Sequence, residues 1–201
     1  QLSLVSTDGH RLAFASATLD VEVPKQEVIL PRKTVIELQR LLSDVEGAIE
    51  MQFANNQAKF VFAGMEFVSK LVEGKFPDYN RVIPKNHHNR ITIGRSALLA
   101  TLQRTAILTS DKFKGVRLNI DPGTLRVAST NAEQEEAVDE LDIDYAGDSI
   151  EIGFNVTYLI DVLINMTQDM VTLELSDGNS SALFTIPDNT TFKYVVMPMR
   201  I

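Results

Sequence analysis

Two stretches of this chain match each other: IEIGFNVTYLIDVLI at residues 150–164 and VILPRKTVIELQRLL at residues 28–42. Each begins as a short strand and continues with apolar residues at helical spacing, which predicts a strand that runs into a helix. The offset is about 122 residues, longer than any solenoid repeat and equal to the size of a whole domain. The chain therefore holds two copies of one domain.

Further pairs at a similar offset lie on both sides of these stretches. LVSTD at residues 4–8 resembles VASTN at residues 127–131, and IEMQF at residues 49–53 falls on VTLEL at residues 171–175. The chain begins inside a predicted strand and without an initiator Met, so we expect it to be a piece of a longer protein. On this interpretation the first copy has lost its front end.

The second copy predicts the full order of elements. The pattern indicates a strand at 90–93, a helix from the N-cap Ser96 to about Leu108, strands at 115–120, 125–129, 135–143 and 149–152, and a helix at 155–166. Three more strands follow, with Asp177-Gly178 as a turn signal. The first copy repeats the later part, with a helix at 32–42 and three strands that turn at Asn55-Asn56. Few helices against much antiparallel sheet predict an α+β fold.

Composition excludes several classes of protein. The 201 residues contain no cysteine and three histidines, which excludes disulfides and thiolate metal sites and leaves little for zinc, so we expect no metal and no cofactor. No apolar run is long enough to span a bilayer, and no Gly-rich phosphate loop is present. The net charge of −8 argues against tight wrapping of nucleic acid but leaves room for a local basic face.

The end of the chain stays apolar, in Tyr194-Val195-Val196-Met197-Pro198-Met199-Arg200-Ile201. Pro198 cannot donate to a sheet, so it ends the strand predicted at 193–196. The two methionines beside it are typical of surfaces that accept several partners. From the pattern alone, this segment is either a last strand that closes a core or one wall of a peptide-binding groove.

Seven motifs along the whole chain resemble the bacterial DNA sliding clamp family, the beta subunit of DNA polymerase III. They are TDGHRL (7–12), VILPRK (28–33), KFPDY (75–79), KFKGVRL (112–118), EQEEA (133–137), IGFN (152–155) and YVVMPMR (194–200). The resemblance implies tandem DNA-clamp domains, each with two helices packed on largely antiparallel sheets. It assigns residues 1–82 to a truncated middle domain, 83–89 to a linker and 90–201 to the C-terminal domain.

The resemblance also implies a function. Members of the family are non-catalytic processivity factors in the cytoplasm, closed homodimeric rings that encircle duplex DNA without sequence preference. They tether DNA polymerase and clamp-loader subunits, which dock short linear peptides between the middle and C-terminal domains. The implied groove residues here are Thr7, Gly9, His10, Arg11, Leu12, Pro77, Arg81, Val82, Val195, Val196, Met197, Pro198, Met199 and Arg200. Apolar walls suit Leu and Phe anchors, and Arg and His at the rim suit carbonyls or an acidic side chain.

Two other surfaces follow from the same resemblance. Basic helix residues would face DNA phosphates on the inner wall of the ring, namely Arg32, Lys33, Arg40, Arg95 and Arg104. The dimer interface would include Ile107, Leu108, Glu133, Glu135 and Glu136. Since the first domain is absent, we expect this chain by itself to be a monomer.

Two alternatives stay open at this point. One is a peptide-binding adaptor that makes no DNA contact in this truncated form. The other, less favoured, is a small hydrolase that uses Asp8, His10 and Asp78, for which no Ser or Cys nucleophile motif is present.

Overall fold

The computed structural model describes all 201 residues, which form three α-helices and thirteen β-strands in two compact units. The smaller unit comprises residues 21–78, and the larger unit comprises residues 1–20 together with 79–201. Every strand pair is antiparallel. The predicted α+β class with antiparallel sheets is therefore confirmed.

The smaller unit packs one helix on a three-stranded sheet. Its elements are α1 (Arg32–Leu42), β3 (Glu50–Phe53), β4 (Gln57–Phe62) and β5 (Met65–Lys70), with strand order β3-β4-β5. Pro31 stands at the N-cap of α1, and Leu38 packs on Phe60 and Phe62 in the core. Ala63 and Gly64 both have positive φ, as a tight two-residue hairpin requires.

The larger unit contains the remaining elements, in two sheets. They are β1 (Leu2–Thr7), β2 (Arg11–Ala17), β6 (Asn89–Gly94), α2 (Arg95–Ala106), β7 (Gly115–Asp121), β8 (Thr124–Thr130), β9 (Glu136–Asp142), β10 (Ile150–Asn155), α3 (Val156–Ile164), β11 (Met170–Leu175), β12 (Ala182–Ile186) and β13 (Asn189–Val196). The strand orders are β1-β2-β13-β12-β11-β6 and β10-β7-β8-β9. Helices α2 and α3 pack together on the main core, which includes Leu102, Phe154 and Phe184.

The six-stranded sheet joins the first repeat to the second. Strand β2 pairs with β13, which sets Leu12 opposite Val195 and Arg11 opposite Val196. Since successive side chains point to opposite faces, Leu12 and Val195 share one face while Tyr194 and Val196 belong to the main core on the other. The carboxyl end of β13 therefore lies beside the turn between β1 and β2.

Helix α2 begins earlier than the sequence predicts. The prediction made Ser96 the N-cap, but Gly94 occupies that position without a side-chain hydrogen bond. Strand β6 runs directly into the helix, and the Arg95 N–H donates to the Asp169 carbonyl at 2.8 Å, which satisfies one N–H of the first turn. By contrast, Asn155 caps α3 as a side-chain acceptor for the Thr157 N–H.

The segment predicted as a polar linker contributes to the larger unit at both ends. Ile83 is buried beside Leu12, and Asn89 opens β6 as a buried residue. Between them, His87 Nε2 lies 2.9 Å from the Ser181 carbonyl oxygen. None of the three helices is long and apolar enough to cross a lipid bilayer.

Candidate functional site

The turn between β1 and β2 is held by its own side chains. Asp8 Oδ1 accepts from the N–H groups of His10 at 2.9 Å and Arg11 at 3.1 Å. The Thr7 hydroxyl donates to the Arg11 carbonyl at 2.7 Å and accepts from the Gly9 N–H. Gly9 has φ of +89°, a backbone conformation that a side chain disfavours. The turn is thus fixed locally before any partner is considered.

The carboxyl-terminal tail is bonded to this turn and then to the edge of β10. The Met197 N–H donates to the His10 carbonyl at 2.9 Å, and the Met199 N–H donates to the Gly153 carbonyl at 2.9 Å. Pro198 lies between the two bonds and contributes no donor of its own. A Cβ on Gly153 would stand 2.5 Å from the Met199 carbonyl oxygen, so the tail lies directly on this glycine.

An apolar cluster lies under the strand pair on the face away from α3. Leu12, Val195, Ile83 and Leu183 are buried there, with Phe14 and Tyr79 packed against them. Val82, next to Ile83 in the chain, is 46% exposed, and Met197, whose N–H is bonded to the His10 carbonyl, is 50% exposed. A buried apolar floor with exposed apolar side chains at its rim is suited to the side chains of a peptide.

On the opposite face, beside the main core, a polar cluster centres on Arg11. Its Nη1 lies 2.6 Å from Asp161 Oδ2 and its Nε 3.1 Å from Asp8 Oδ2. The guanidinium carbon lies 4.3 Å from the centroid of the Tyr158 ring, and Nη1 is 3.4 Å from the Tyr194 hydroxyl. Partial burial opposes the charge, but the hydrogen bonds to Asp161, Tyr194 and Asp8 outweigh it and raise the pKa of Arg11.

The pKa values of the neighbouring groups shift with this arrangement. Slight burial would raise the pKa of Asp8, but the N–H groups of His10 and Arg11 and the Arg11 charge lower it overall. Burial raises the pKa of Tyr194, whose hydroxyl donates to the Tyr158 carbonyl at 3.0 Å. The Arg11 cation and the Asp8 anion therefore each favour the charged state of the other.

Four residues beside the predicted groove residues carry no motif that marks them as part of a groove: Tyr158, Asp161, Ile83 and Leu183. Tyr158 and Asp161 lie three apart on α3 and so share a helix face, which was the available signal. That spacing indicates no partner, because Arg11 is 150 residues away along the chain. Ile83 was assigned to the linker and Leu183 to an ordinary strand.

Most of the predicted groove residues fall in the larger unit and lie close together. The turn and the start of β2 (7–12) adjoin the end of β13 and the tail (195–199) through the pairs described above. Arg81 ends a short 3-10 helix at Tyr79–Arg81, and Val82 follows it next to Ile83. Arg200 is exposed near the end of the chain. Pro77 belongs to the smaller unit.

The five basic residues predicted to face DNA differ in what they contact. Arg32 and Lys33 are exposed at the start of α1. Arg40 pairs with Glu37 at 2.7 Å. In the larger unit, Arg95 donates to the carbonyls of Leu163 and Gln168, and Arg104 pairs with Asp139 at 2.6 Å. Arg32 and Lys33 thus have no ion-pair partner within the chain, whereas the other three are engaged.

The residues predicted for the dimer interface lie just after α2 and around the start of β9. Ile107 is 79% exposed, and Leu108 beside it is half-buried. Glu133, Glu135 and Glu136 are exposed, and Glu135 accepts from the Asn131 amide at 2.6 Å. A cavity of about 260 Å³ lies near them, lined by Ser110, Phe113, Thr130, Asn131 and Ala132.

The geometry gives no support to hydrolase chemistry. The Asp8 carboxylate is used by the turn and by Arg11, and the His10 ring stacks on Tyr158 with centroids 6.3 Å apart. Asp78 belongs to the other unit. Asp8 and His10 are therefore engaged in other contacts and do not form an acid–base pair beside a nucleophile.

Comparison with known proteins identifies the family. The family model for the DNA polymerase III beta subunit, central domain, matches residues 1–78, and the model for its C-terminal domain matches residues 80–200. The beta sliding clamps of Pseudomonas putida and Escherichia coli K12 are 48% and 42% identical over 201 residues, which is all of this chain and 55% of each relative. The chain thus spans about half the length of the curated relatives it matches.

Solved structures agree with the sequence relatives. A DNA polymerase sliding clamp from Pseudomonas aeruginosa is 44% identical, with a TM-score of 0.93 over 99% of this chain and 55% of that one. Another structure from the same organism, a sliding clamp bound to griselimycin, has a TM-score of 0.92 at 44% identity and covers 99% of this chain and 54% of its own. With both of its parts matched in order by the central and C-terminal domain models, the chain belongs to the DNA polymerase III beta subunit family of sliding clamps.

Proposed function

We propose that this chain is part of a ring that encircles duplex DNA and tethers a DNA polymerase to it. The observation that carries the proposal is the tandem match of two clamp domain models over residues 1–78 and 80–200. A ring of this kind acts by topology, so it needs no catalytic residue or cofactor. Its place of action would be the cytoplasm, where bacterial DNA is replicated.

The groove is the proposed attachment site for partners, which include polymerase and clamp-loader subunits. Its support is the juxtaposition of the 7–11 turn, the tail and the apolar cluster around Leu12 and Val195. Leu and Phe side chains of a short peptide would displace water from Val82 and Met197 at the rim. A related clamp has been solved bound to griselimycin, and competition between griselimycin and a Leu- and Phe-bearing peptide would test whether the two share the groove.

Contact with DNA is proposed to be weak and non-specific. Arg32 and Lys33 are the best candidates because their charges have no ion-pair partner in the chain. Phosphate contacts position a protein without reading sequence, as sliding requires. Carboxylates partly offset the charges of Arg40 and Arg104, and backbone carbonyls occupy donors of Arg95, so these three side chains offer less to a phosphate.

We propose that the ring of the full-length homodimer closes by strand pairing between subunits, in the same way that β2 pairs with β13 within this chain. Because LVSTD in β1 matches VASTN in β8, β2 corresponds to β9 in the repeat. Strand β9 is an edge strand, whereas β2 is paired on both sides. An antiparallel strand from another subunit would pair with the free edge of β9, as β13 pairs with β2. Ile107, Glu133, Glu135 and Glu136 are exposed residues predicted for the same interface. The 201-residue chain, with half the length of its relatives, would remain a monomer.

The direct test of the ring is topological. Full-length protein that contains this segment is loaded onto a plasmid by its loader, and its retention is compared on circular and linearised DNA. We expect retention on the circle and rapid loss from the linear form, because a ring slides off a free end. Equal retention on both forms would contradict the proposal.

A peptide-binding adaptor without DNA contact is the second candidate for the chain as it stands. It is favoured by the fact that the groove residues, except Pro77, lie in one unit and need no closed ring. Peptide binding by the 201-residue chain together with absent retention of the full-length protein on circular DNA would favour the adaptor.

A further inference from the structure

We propose that Asp161 is a positioning residue of the peptide groove. Its carboxylate holds Arg11 on the Tyr158 ring and thereby fixes the turn to which the tail is bonded. The inference rests on the groove function proposed above, and it concerns a residue of α3 outside every motif that carried the family resemblance.

The bond between Asp161 and Arg11 has the features of a strong ion pair. Its Nη1–Oδ2 distance is 2.6 Å, and the two side chains are only 38% and 27% exposed. Charge-assisted hydrogen bonds are stronger than neutral ones, and partial burial reduces their screening by salt. The pair also joins two residues that are 150 positions apart in the chain, one at the start of β2 and one on α3.

Arg11 is fixed from several directions at once. Asp8 binds its Nε at 3.1 Å, the Tyr158 ring lies 4.3 Å from the guanidinium carbon, and the Tyr194 hydroxyl lies 3.4 Å from Nη1. Two carboxylates therefore flank one guanidinium, so Arg11 is not available to receive an acidic side chain of a peptide. Its role is to join the turn, α3 and β13.

The consequence for the groove passes through His10, the neighbour of Arg11 in the turn. The His10 ring stacks on the Tyr158 ring, and the backbone carbonyl of His10 accepts a hydrogen bond from the Met197 N–H at 2.9 Å. Release of Arg11 from Asp161 would leave the internal bonds of the turn intact but would let the turn shift relative to α3. The tail bonded to His10 would shift with it, so the spacing between these segments and α3 would no longer be fixed. Because a peptide that binds a preformed groove loses less conformational entropy than one that must order it, affinity falls when this spacing varies.

The test compares variants of the 201-residue chain in a fluorescence anisotropy titration with a fluorescein-labelled decapeptide that contains Leu and Phe. We expect Asp161→Asn to weaken binding about tenfold and Asp161→Glu to restore it to within about threefold. Asp121→Asn is the matched control, because it removes the same charge from an exposed hairpin residue that has no ion pair, and it should leave affinity unchanged. In an Arg11→Gln background, Asp161→Asn should cause no further loss.

A second readout needs no peptide. The centroids of the His10 and Tyr158 rings lie 6.3 Å apart in a stacked arrangement. The NMR shift of the His10 Cε1 proton should therefore move toward the random-coil position in Asp161→Asn and not in Asp121→Asn. Unchanged affinity, an unchanged His10 shift, or losses that simply add in the double variant would overturn the positioning role. If the wild-type chain itself failed to bind the decapeptide, the proposed groove function would be refuted. That outcome is distinct from one in which the wild type binds and the Asp161 variants bind equally well, which would refute only the positioning role.

Discussion

Asp8 is the residue on which the turn between β1 and β2 depends most directly. One carboxylate oxygen accepts two backbone N–H groups, and the other binds Arg11. Asp and Gly are typical turn residues, so TDGHRL (7–12) is a stretch in which a turn can be read from the residues themselves. The sequence did not predict the second half of the site, Tyr158 and Asp161, because only the folded chain brings α3 to Arg11.

We predict that Asp8→Asn lowers the free energy of unfolding by about 1 kcal/mol at neutral pH, a modest value because the side chain is partly exposed to solvent. The pKa of Asp8 is lowered from its ordinary value of 3.8 in the folded state. Its contribution is therefore fully present above that pH and is lost as pH falls through the lowered folded value. Urea unfolding of both proteins between pH 3 and 7 checks this, and a difference that grew on acidification would contradict it.

At the scale of elements, the tail and β10 depend on a glycine. We predict that Gly153→Ala displaces residues 199–201, because its Cβ would stand 2.5 Å from the Met199 carbonyl oxygen and 2.7 Å from Ile201 Cδ1. The decapeptide should then bind about tenfold more weakly. Gly94→Ala is the control, since its Cβ would meet only Ala97 at an ordinary 3.8 Å. Equal affinities for both variants would show that the tail does not need this contact.

Deletion of residues 197–201 tests the tail as a wall of the groove. The deletion removes the exposed Met197 and both backbone bonds of the tail, so decapeptide affinity should fall about 30-fold or more. Circular dichroism should show an intact fold, because the main core does not include these residues. Full affinity after deletion would exclude the tail from the site.

The elements were largely predictable from the repeat, but their pairing across the repeat was not. The copied strand–helix stretches indicated which elements exist and in what order. Nothing in the pattern of β2 or β13 indicates that they are partners, because each has apolar residues on both faces. The predicted start of α2 was also wrong. Strand β6 ends at Gly94 and α2 begins at Arg95, so Ser96 lies inside the first turn.

At the scale of the whole molecule, the isolated chain should be a monomer. Light scattering should give a mass near 22.4 kDa at micromolar concentration. The edge strand β9 has charged residues such as Asp139 and Glu140, and charges on an edge discourage pairing of identical strands. A stable species of twice that mass would contradict the proposed ring closure at β9.

Contact with DNA belongs to the full-length protein. We predict that Arg32→Ala with Lys33→Ala reduces the slope of log K against log salt by about 0.9 for each phosphate that the variant no longer neutralises. Lys25→Ala is the matched control, because Lys25 is exposed in the same unit and pairs with Glu27. A slope equal to that of the wild type would remove α1 from the DNA-facing surface.

The most direct measurement of the central claim, that the tail and the 7–11 turn form one docking surface, is a decapeptide titration followed by residue-resolved NMR. We expect the amide signals of Gly9, Val82 and Met199 to shift together along a single binding curve. Saturable binding with none of these signals moved, or movement of only one of the three, would contradict the account.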